Sequence, residues 1–221
     1  MLLAAFYLSS SAFGATLSDD EVKALKDIAK TLGKKDWDFS VDPCSPERNW
    51  KSLIEVNEEE NAVICNCSFA NATICHVTNI SLLGNRITGS IPIEIANIST
   101  LQSFVVEANQ LSGNLPAELG NLSQIQRMLL SSNNFTGEIP PTFAKLTSLQ
   151  DLVIQGSGFS GPIPSGISLM KSLIVLRISD LKGSEFSPFP RLDNLPLRHL
   201  YLTGNSFTGS VPTWAKSVKN V

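Results

Sequence analysis

One seventeen-residue phrase is written repeatedly along this chain from residue 84 onward. GNRITGSIPIEIANIST at 84–100 returns as ANQLSGNLPAELGNLSQ at 108–124, SNNFTGEIPPTFAKLTS at 132–148, GSGFSGPIPSGISLMKS at 156–172 and GNSFTGSVPTWAKSVKN at 204–220. Asn85, Asn109 and Asn133 are spaced by 24 residues, Ser157 takes the same slot, and Asn205 returns two periods later. Pro92, Pro116, Pro140, Pro164, Pro188 and Pro212 keep that period without a break. A fixed period of this length means stacked supersecondary units and excludes a core folded once.

Ahead of each slot lies an apolar trio: Val77, Ile80, Leu82; Leu101, Phe104, Val106; Ile125, Met128, Leu130; Leu149, Leu152, Ile154; Leu173, Leu176, Ile178; and Leu197, Leu200, Leu202. The last two members alternate, which predicts a short strand with one buried face. After the Pro, pairs such as Ile95 and Ile98, Leu119 and Leu122, and Phe143 and Leu146 have the spacing of a helical turn. Each copy therefore reads as a strand, a tight turn and a loose helical return, and only stacking can bury its apolar face. The Asn amide supplies two donors and an acceptor for turn groups that point inward, so the ladder Asn85, Asn109, Asn133 and Asn205 is read as structural. The Gly allows a backbone closed to other residues, and the Pro fixes φ while removing a donor.

The pattern L-x-x-L-x-L-x-x-N-x-L-x-G-x-I-P-x-x-L-x-x-L-x-x resembles the plant-type leucine-rich repeat, over residues 77–221. The resemblance implies an α/β repeat solenoid, a right-handed superhelix with one parallel strand per repeat. Its N-terminal cap is helical and stapled by disulfides. The fifth of the six copies, 173–196, departs from the pattern: Leu181 holds the Asn slot, and KGSEFSPFP replaces the L-x-G-x-I-P run. Its turn is expected to be satisfied another way, with an irregular bulge.

Upstream, LLAAFYLSSSAFGA is an apolar run too short to span a bilayer, and small residues Ala12 and Gly14 suit cleavage after Gly14. Residues 1–14 are read as a signal peptide whose missing basic lead-in points to an incomplete start. Residues 15–76 are read as the cap. Four cysteines, Cys44, Cys65, Cys67 and Cys75, crowd into this cap and none occurs in the repeats. N-x-S/T sequons stand at Asn66, Asn71, Asn79, Asn97, Asn121 and Asn134. Together these features point to the secretory route and to two disulfides. A metal site is disfavoured because CNC has no second ligand pair, only His76 nearby. Cys67 and Cys75 flank FANA, a hairpin-like turn, which suits that bridge and leaves Cys44 to Cys65. Cys44–Cys67 with Cys65–Cys75 stays open as an alternative.

SDDEVKALKDIAKTLG predicts a helix, with a Ser18/Glu21 capping box, an apolar face of Val22, Leu25, Ile28 and Leu32, and Gly33 as its stop. Trp37, Phe39 and Trp50 are expected beneath it, and EVNEEENAV reads as a solvated acidic loop. Residues 1–76 carry 7 basic and 12 acidic side chains, and residues 77–221 carry 10 and 8, so neither half is a nucleic-acid footprint.

DWDFSVDPCSPERNW and NAVICNCSFANATICHV are similar to the cap of plant leucine-rich-repeat receptor-like kinases whose ectodomains add a malectin-like domain. That resemblance implies a recognition module at the outer face of the plasma membrane. Its partners would be an extracellular peptide, a cell-wall glycan or a co-receptor ectodomain, with attachment to the membrane through segments beyond this sequence. The chain contains no 18-residue apolar run after the leader, no Gly-rich nucleotide loop and no H-R-D segment, and it stops mid-repeat at Val221. It is read as a fragment or a partial gene product. The alternatives are a secreted inhibitor of a cell-wall hydrolase or a soluble decoy. His76 and His199 lie in separate strand patterns with no nucleophile and carboxylate in a readable motif, so no catalytic residue and no cofactor are expected.

The candidate binding face follows from strand alternation. One outward column reads Ser81, Val105, Leu129, Val153, Arg177, Tyr201; a second Leu83, Glu107, Ser131, Gln155, Ser179, Thr203; a third Asn79, Ser103, Arg127, Asp151, Val175, His199. The selected site residues are Val105, Glu107, Arg127, Leu129, Asp151, Val153, Gln155, Arg177, His199 and Tyr201. Val105, Leu129 and Val153 are expected as an exposed apolar stripe with a polar border, which suits a partner.

Overall fold

The computed structural model describes residues 14–45, 62–69, 73–183 and 187–219. The leader, the acidic loop through Asn61, Trp50 and Asn71 lie outside the described residues. In chain order the strands are β1 (Thr16–Leu17), β2 (Ala62–Phe69), β3 (Ile74–Ser81), β4 (Thr88–Gly89), β5 (Ser103–Val105), β6 (Gln110–Gly113) and β7 (Arg127–Leu129). They continue as β8 (Asn134–Phe135), β9 (Asp151–Ile154), β10 (Val175–Ile178), β11 (Ser187–Pro188), β12 (His199–Tyr201) and β13 (Phe207–Thr208).

The main sheet has the order β1-β3-β5-β7-β9-β10-β12, and β2 pairs antiparallel with β3. From β3 onward all neighbours are parallel and one period apart, as in Ile80 with Phe104, Phe104 with Met128, Met128 with Leu152, and Leu152 with Leu176. These apolar members are fully buried and form the spine of the core. A second, thinner ladder runs through the L-x-G segments as β4-β6-β8, then single bridges Glu138–Ser160 and Ser160–Lys182, and β11–β13. The helical returns are five-residue 3-10 turns at Ile93–Asn97, Ala117–Asn121, Pro141–Lys145, Ser165–Leu169 and Thr213–Ser217. Each starts directly after the period-keeping Pro, whose missing N–H and fixed φ suit a helix start.

The Asn slot closes each turn across two copies. Asn109 Nδ2 donates to the carbonyls of Val106 in its own copy and Leu82 in the preceding one, and its Oδ1 accepts from Ile87 N–H. Asn133 repeats the set with Leu130, Val106 and Leu111. Ser157 keeps only the hydroxyl donor, to Leu130 O at 2.9 Å. In the fifth copy Leu181 packs into the core, and Asn205 of the sixth copy serves its turn by accepting from Leu181 N–H and donating to Ile178 O.

Sequence reading missed the slot just before the Asn. Gly84, Ala108, Ser132, Gly156, Asp180 and Gly204 all have φ between 55° and 69°. Half of them carry a side chain in the left-handed region, which costs about 1 kcal/mol or more each. The periodic spacing could have shown the slot, but its mixed composition hid it.

The cap helix α1 (Asp19–Leu32) ends at Gly33, which is left-handed at φ 66° and donates to the carbonyls of Ala29 and Lys30. Leu25, Ile28 and Leu32 are buried, while Val22 packs against their cluster from a partly exposed position. Trp37 is buried and Phe39 meets it edge-on at 6.5 Å between centroids. Cys44 bonds to Cys65 and Cys67 to Cys75, so both thiol pairs close within the cap.

The expected capping box does not form. Ser18 is the N-cap, with its carbonyl accepting from Glu21 and Val22 N–H, but its side chain makes no cap bond. The Glu21 carboxylate is instead buried at 5% exposure and reaches across to the first repeat. It accepts from Val77 N–H at 2.7 Å, from His76 Nδ1 at 2.7 Å and from Thr100 Oγ1 at 3.3 Å. Glu21 shares the stripe of Leu25, Ile28 and Leu32, and a carboxylate on a buried stripe must find donors there.

Candidate functional site

The strand register brings the candidate residues together as three parallel rows. Val105, Leu129, Val153, Arg177 and Tyr201 are successive partners along one row, and Ser103, Arg127, Asp151, Val175 and His199 along the next. Ser81 and Asn79 begin these rows on β3. Glu107, Ser131 and Gln155 continue the third, linked by Ala108 N–H to Ser131 O and Ser132 N–H to Gln155 O.

Val105 corrects the expected stripe: it is buried at 4% exposure. It shares a cavity of about 30 Å³ with Ala62, Ile64, Asn79, Ser81, Ser103 and Arg127, so the β2 strand of the cap walls it in. The apolar part of the row that faces outward is Leu129 and Val153, both half-buried. Glu107, Arg127, Asp151, Gln155, Arg177, His199 and Tyr201 are also half-buried, as expected for a sheet face with one open side.

Charge borders the apolar centre on both sides. Arg127 Nε stands 3.6 Å from Asp151 Oδ2. The Arg177 guanidinium lies over the Tyr201 ring at 4.8 Å from its centroid, a cation–π contact that orients both groups. Arg177 Nε is buried and makes no hydrogen bond among the described residues. The serines of these rows (Ser81, Ser103, Ser131, Ser179) are buried and keep the face shallow there. This surface can bind an extended chain or a protein edge through mixed apolar and polar contacts.

The two histidines are set apart. His76, on β3, is held by Glu21 and meets the Phe69 ring edge-on at 4.8 Å, whereas His199 is on β12, the last strand of the sheet. No group of three or more His, Cys, Asp and Glu could hold a metal ion among the described residues. No helix among them is long and apolar enough to cross a membrane. Of the sequons in the described residues, Asn66, Asn97, Asn121 and Asn134 are exposed, and Asn79 is half-buried between β2 and β5.

Comparison with known proteins agrees with this architecture. The family model described as Leucine Rich Repeat matches residues 124–146 and 196–217. A "Probable leucine-rich repeat receptor-like serine/threonine-protein kinase" of Arabidopsis thaliana is 43% identical over 91 residues, 40% of this chain and 9% of the kinase. A second Arabidopsis thaliana kinase of this description is 42% identical over 88 residues, 39% of this chain and 9% of its own length. The chain thus spans about a tenth of the curated relatives it matches. The BIR2 ectodomain from Arabidopsis thaliana superposes with a TM-score of 0.60 at 25% identity, covering 88% of this chain and 99% of that one. The plant peptide hormone receptor RGFR1 in complex with RGF2 gives a TM-score of 0.53 at 33% identity, over 64% of this chain and 22% of the receptor.

The chain carries leucine-rich repeats, is similar over about two fifths of its length to leucine-rich-repeat receptor-like serine/threonine kinases, and shares the fold of plant leucine-rich-repeat ectodomains.

Proposed function

We propose that this chain is the extracellular recognition module of a plant cell-surface receptor-like kinase, binding a peptide or a co-receptor ectodomain on the main sheet. The observation that carries the reading is the aligned open row of Leu129, Val153, Arg177 and Tyr201, bordered by Arg127 and Asp151. Half-buried sheet positions with no core to face have no packing reason to be apolar, and a partner supplies one. The relation to receptor-like kinases and the likeness to a peptide hormone receptor solved with its peptide support the same assignment. The cap motifs favour the subfamily that adds a malectin-like domain. Residues 1–14 then serve as the secretion signal, 15–76 as the cap and 77–221 as repeats, with the kinase and membrane span supplied by further segments of the receptor. The exposed sequons Asn66, Asn97, Asn121 and Asn134 are the glycan sites of this reading, and none lies in the central rows.

Binding is tested with the secreted chain immobilised against extracellular plant peptides and co-receptor ectodomains. Leu129→Glu with Tyr201→Ala should weaken capture at least about tenfold, a loss of roughly 1.4 kcal/mol or more, with secretion and melting temperature nearly unchanged. Wild-type capture by that double variant, or protection of the 3-10 side on binding, would remove the sheet from consideration.

A further inference from the structure

We propose that Arg177, set over the Tyr201 ring, is an oxyanion-binding site on the main sheet, for a carboxylate or a tetrahedral oxyanion such as sulfate. The outward rows carry two half-buried arginines, Arg127 and Arg177, and the strand register gives them different neighbours. One strand on from Arg127 the chain supplies a carboxylate, Asp151, with Oδ2 at 3.6 Å from Arg127 Nε. One strand on from Arg177 it supplies an aromatic ring, Tyr201, whose centroid is 4.8 Å from the guanidinium. The remaining neighbours of Arg177 bring no acid: Val153 precedes it in the row, and Val175 and Ser179 flank it on β10 and just beyond. The next carboxylate along the chain, Asp180, accepts from the Ser179 hydroxyl. Among the described residues Arg177 therefore makes no ion pair, and its buried Nε makes no hydrogen bond.

These neighbours select the ligand class. A cation–π contact fixes where the guanidinium sits and uses none of its N–H donors as hydrogen bonds. Arg177 Nε has lost its water without gaining an acceptor, a desolvation cost that nothing in the described chain offsets. Ser81 Oγ is the other buried side-chain atom in this condition among the described residues, and the contrast is informative. It lines the recess of about 30 Å³ beside β2, polar and roomy enough for a water molecule. Water satisfies a hydroxyl, but it leaves the charge of a guanidinium unneutralised. An oxyanion meets both needs, since two of its oxygens accept parallel N–H bonds while its charge cancels that of the arginine. A halide has one centre and cannot span the fork, so shape is selected along with charge. Val153 and Val175 stand beside the guanidinium as apolar neighbours, which lowers the local dielectric and strengthens such bonds. The assignment deepens the sheet-binding reading and rests on it for any larger ligand that carries the oxyanion, but the ion site is tested without peptide or ectodomain.

The test follows the Arg177 Nε–H signal by NMR in the isotope-labelled full chain, assigned as the one lost in Arg177→Lys. Sodium sulfate, sodium acetate and N-acetyl-aspartate methylamide are titrated at constant ionic strength, with sodium chloride as the reference. At least one of the three should shift that signal saturably, with a dissociation constant below about 20 mM and about fivefold or more tighter than chloride. Tyr201→Ala should weaken the binding about threefold or more, because the guanidinium loses its support. The Arg127 Nε–H signal should not respond, since Asp151 already faces it. Sulfate tighter than both carboxylates assigns a free inorganic ion, and either carboxylate tighter than sulfate assigns an acidic group carried by a larger ligand. The proposal is overturned if none of the three shifts the Arg177 signal saturably, if chloride binds as tightly, or if the Arg127 signal responds with the same constant. Partner capture that Leu129→Glu/Tyr201→Ala abolishes, beside flat ion titrations, sinks the oxyanion site and spares the sheet-binding reading; ion binding without any partner captured does the reverse.

Discussion

In the repeats a turn is closed by a residue that recurs, the Asn amide shared between one copy and the one before it, and any one amide carries a fraction of the total. In the cap each tie occurs once: two disulfides, and a carboxylate on α1 that holds the first strand through Val77 N–H. The repeats accommodate a missing member, because Leu181 replaces an Asn and packs into the core while Asn205 still makes the ladder's bond back to Ile178 O of that copy. The cap has no neighbouring copy to take over. A stack of copies bonded pairwise spreads its stabilisation, whereas a terminal cap must concentrate it where the last apolar face would otherwise meet water.

Reduction should break this comparison most visibly. Opening both cap disulfides is expected to cost about 2–5 kcal/mol per native bridge and to lower the melting temperature. Non-reducing peptide mapping should recover Cys44 with Cys65 and Cys67 with Cys75, and free thiols in the secreted protein would contradict the cap as described. Next in size is Glu21→Ala, which strands a buried Val77 N–H and takes the carboxylate partner from His76, at about 3 kcal/mol in chemical denaturation. A variant as stable as wild type would show that α1 is held by apolar contact alone.

A single ladder position should matter less. Asn109→Leu is expected to cost roughly 1–3 kcal/mol by leaving the buried Ile87 N–H without its acceptor and taking one of two amide donors from Leu82 O. Asn85→Leu should cost less, since its amide donates to Leu82 O and Leu83 O of its own turn and Leu82 O keeps the Asn109 amide. Equal losses at the two sites would deny that bridging between copies is what the amide adds. Smallest is Ala108→Gly, which relieves a left-handed alanine at φ 55° and should stabilise by up to about 0.5 kcal/mol after the entropic cost of glycine. Destabilisation at that site would mean the methyl group packs usefully.

Much of the repeat architecture was readable because periodicity is a global signal. Six prolines at one spacing, with Asn85, Asn109 and Asn133 at the same spacing, require equivalent environments, and the strand register Ser103–Arg127–Asp151 then follows by addition. The cap gave weaker guidance, since nothing in it repeats. Ser18 and Glu21 satisfied a local capping rule, yet the carboxylate went to a strand 56 residues away that offered a buried N–H. Val105 looked open from alternation alone, which says which side of a strand a side chain leaves but not what lies over that side.

By itself, then, the sequence determined the stacking unit, its period, the rows of the sheet and the cysteines' confinement to one end, because each is a property of spacing along the chain. Only the tertiary structure decided that Val105 is buried in a recess shared with Ala62 and Ile64 of β2, that Glu21 ties the cap to β3, and that a cavity opens beside the irregular fifth return, lined by Phe189, Arg191 and Trp214 among others. Those depend on residues distant in the chain meeting in space, where burial sets the cost of every unpaired group and every unfilled gap.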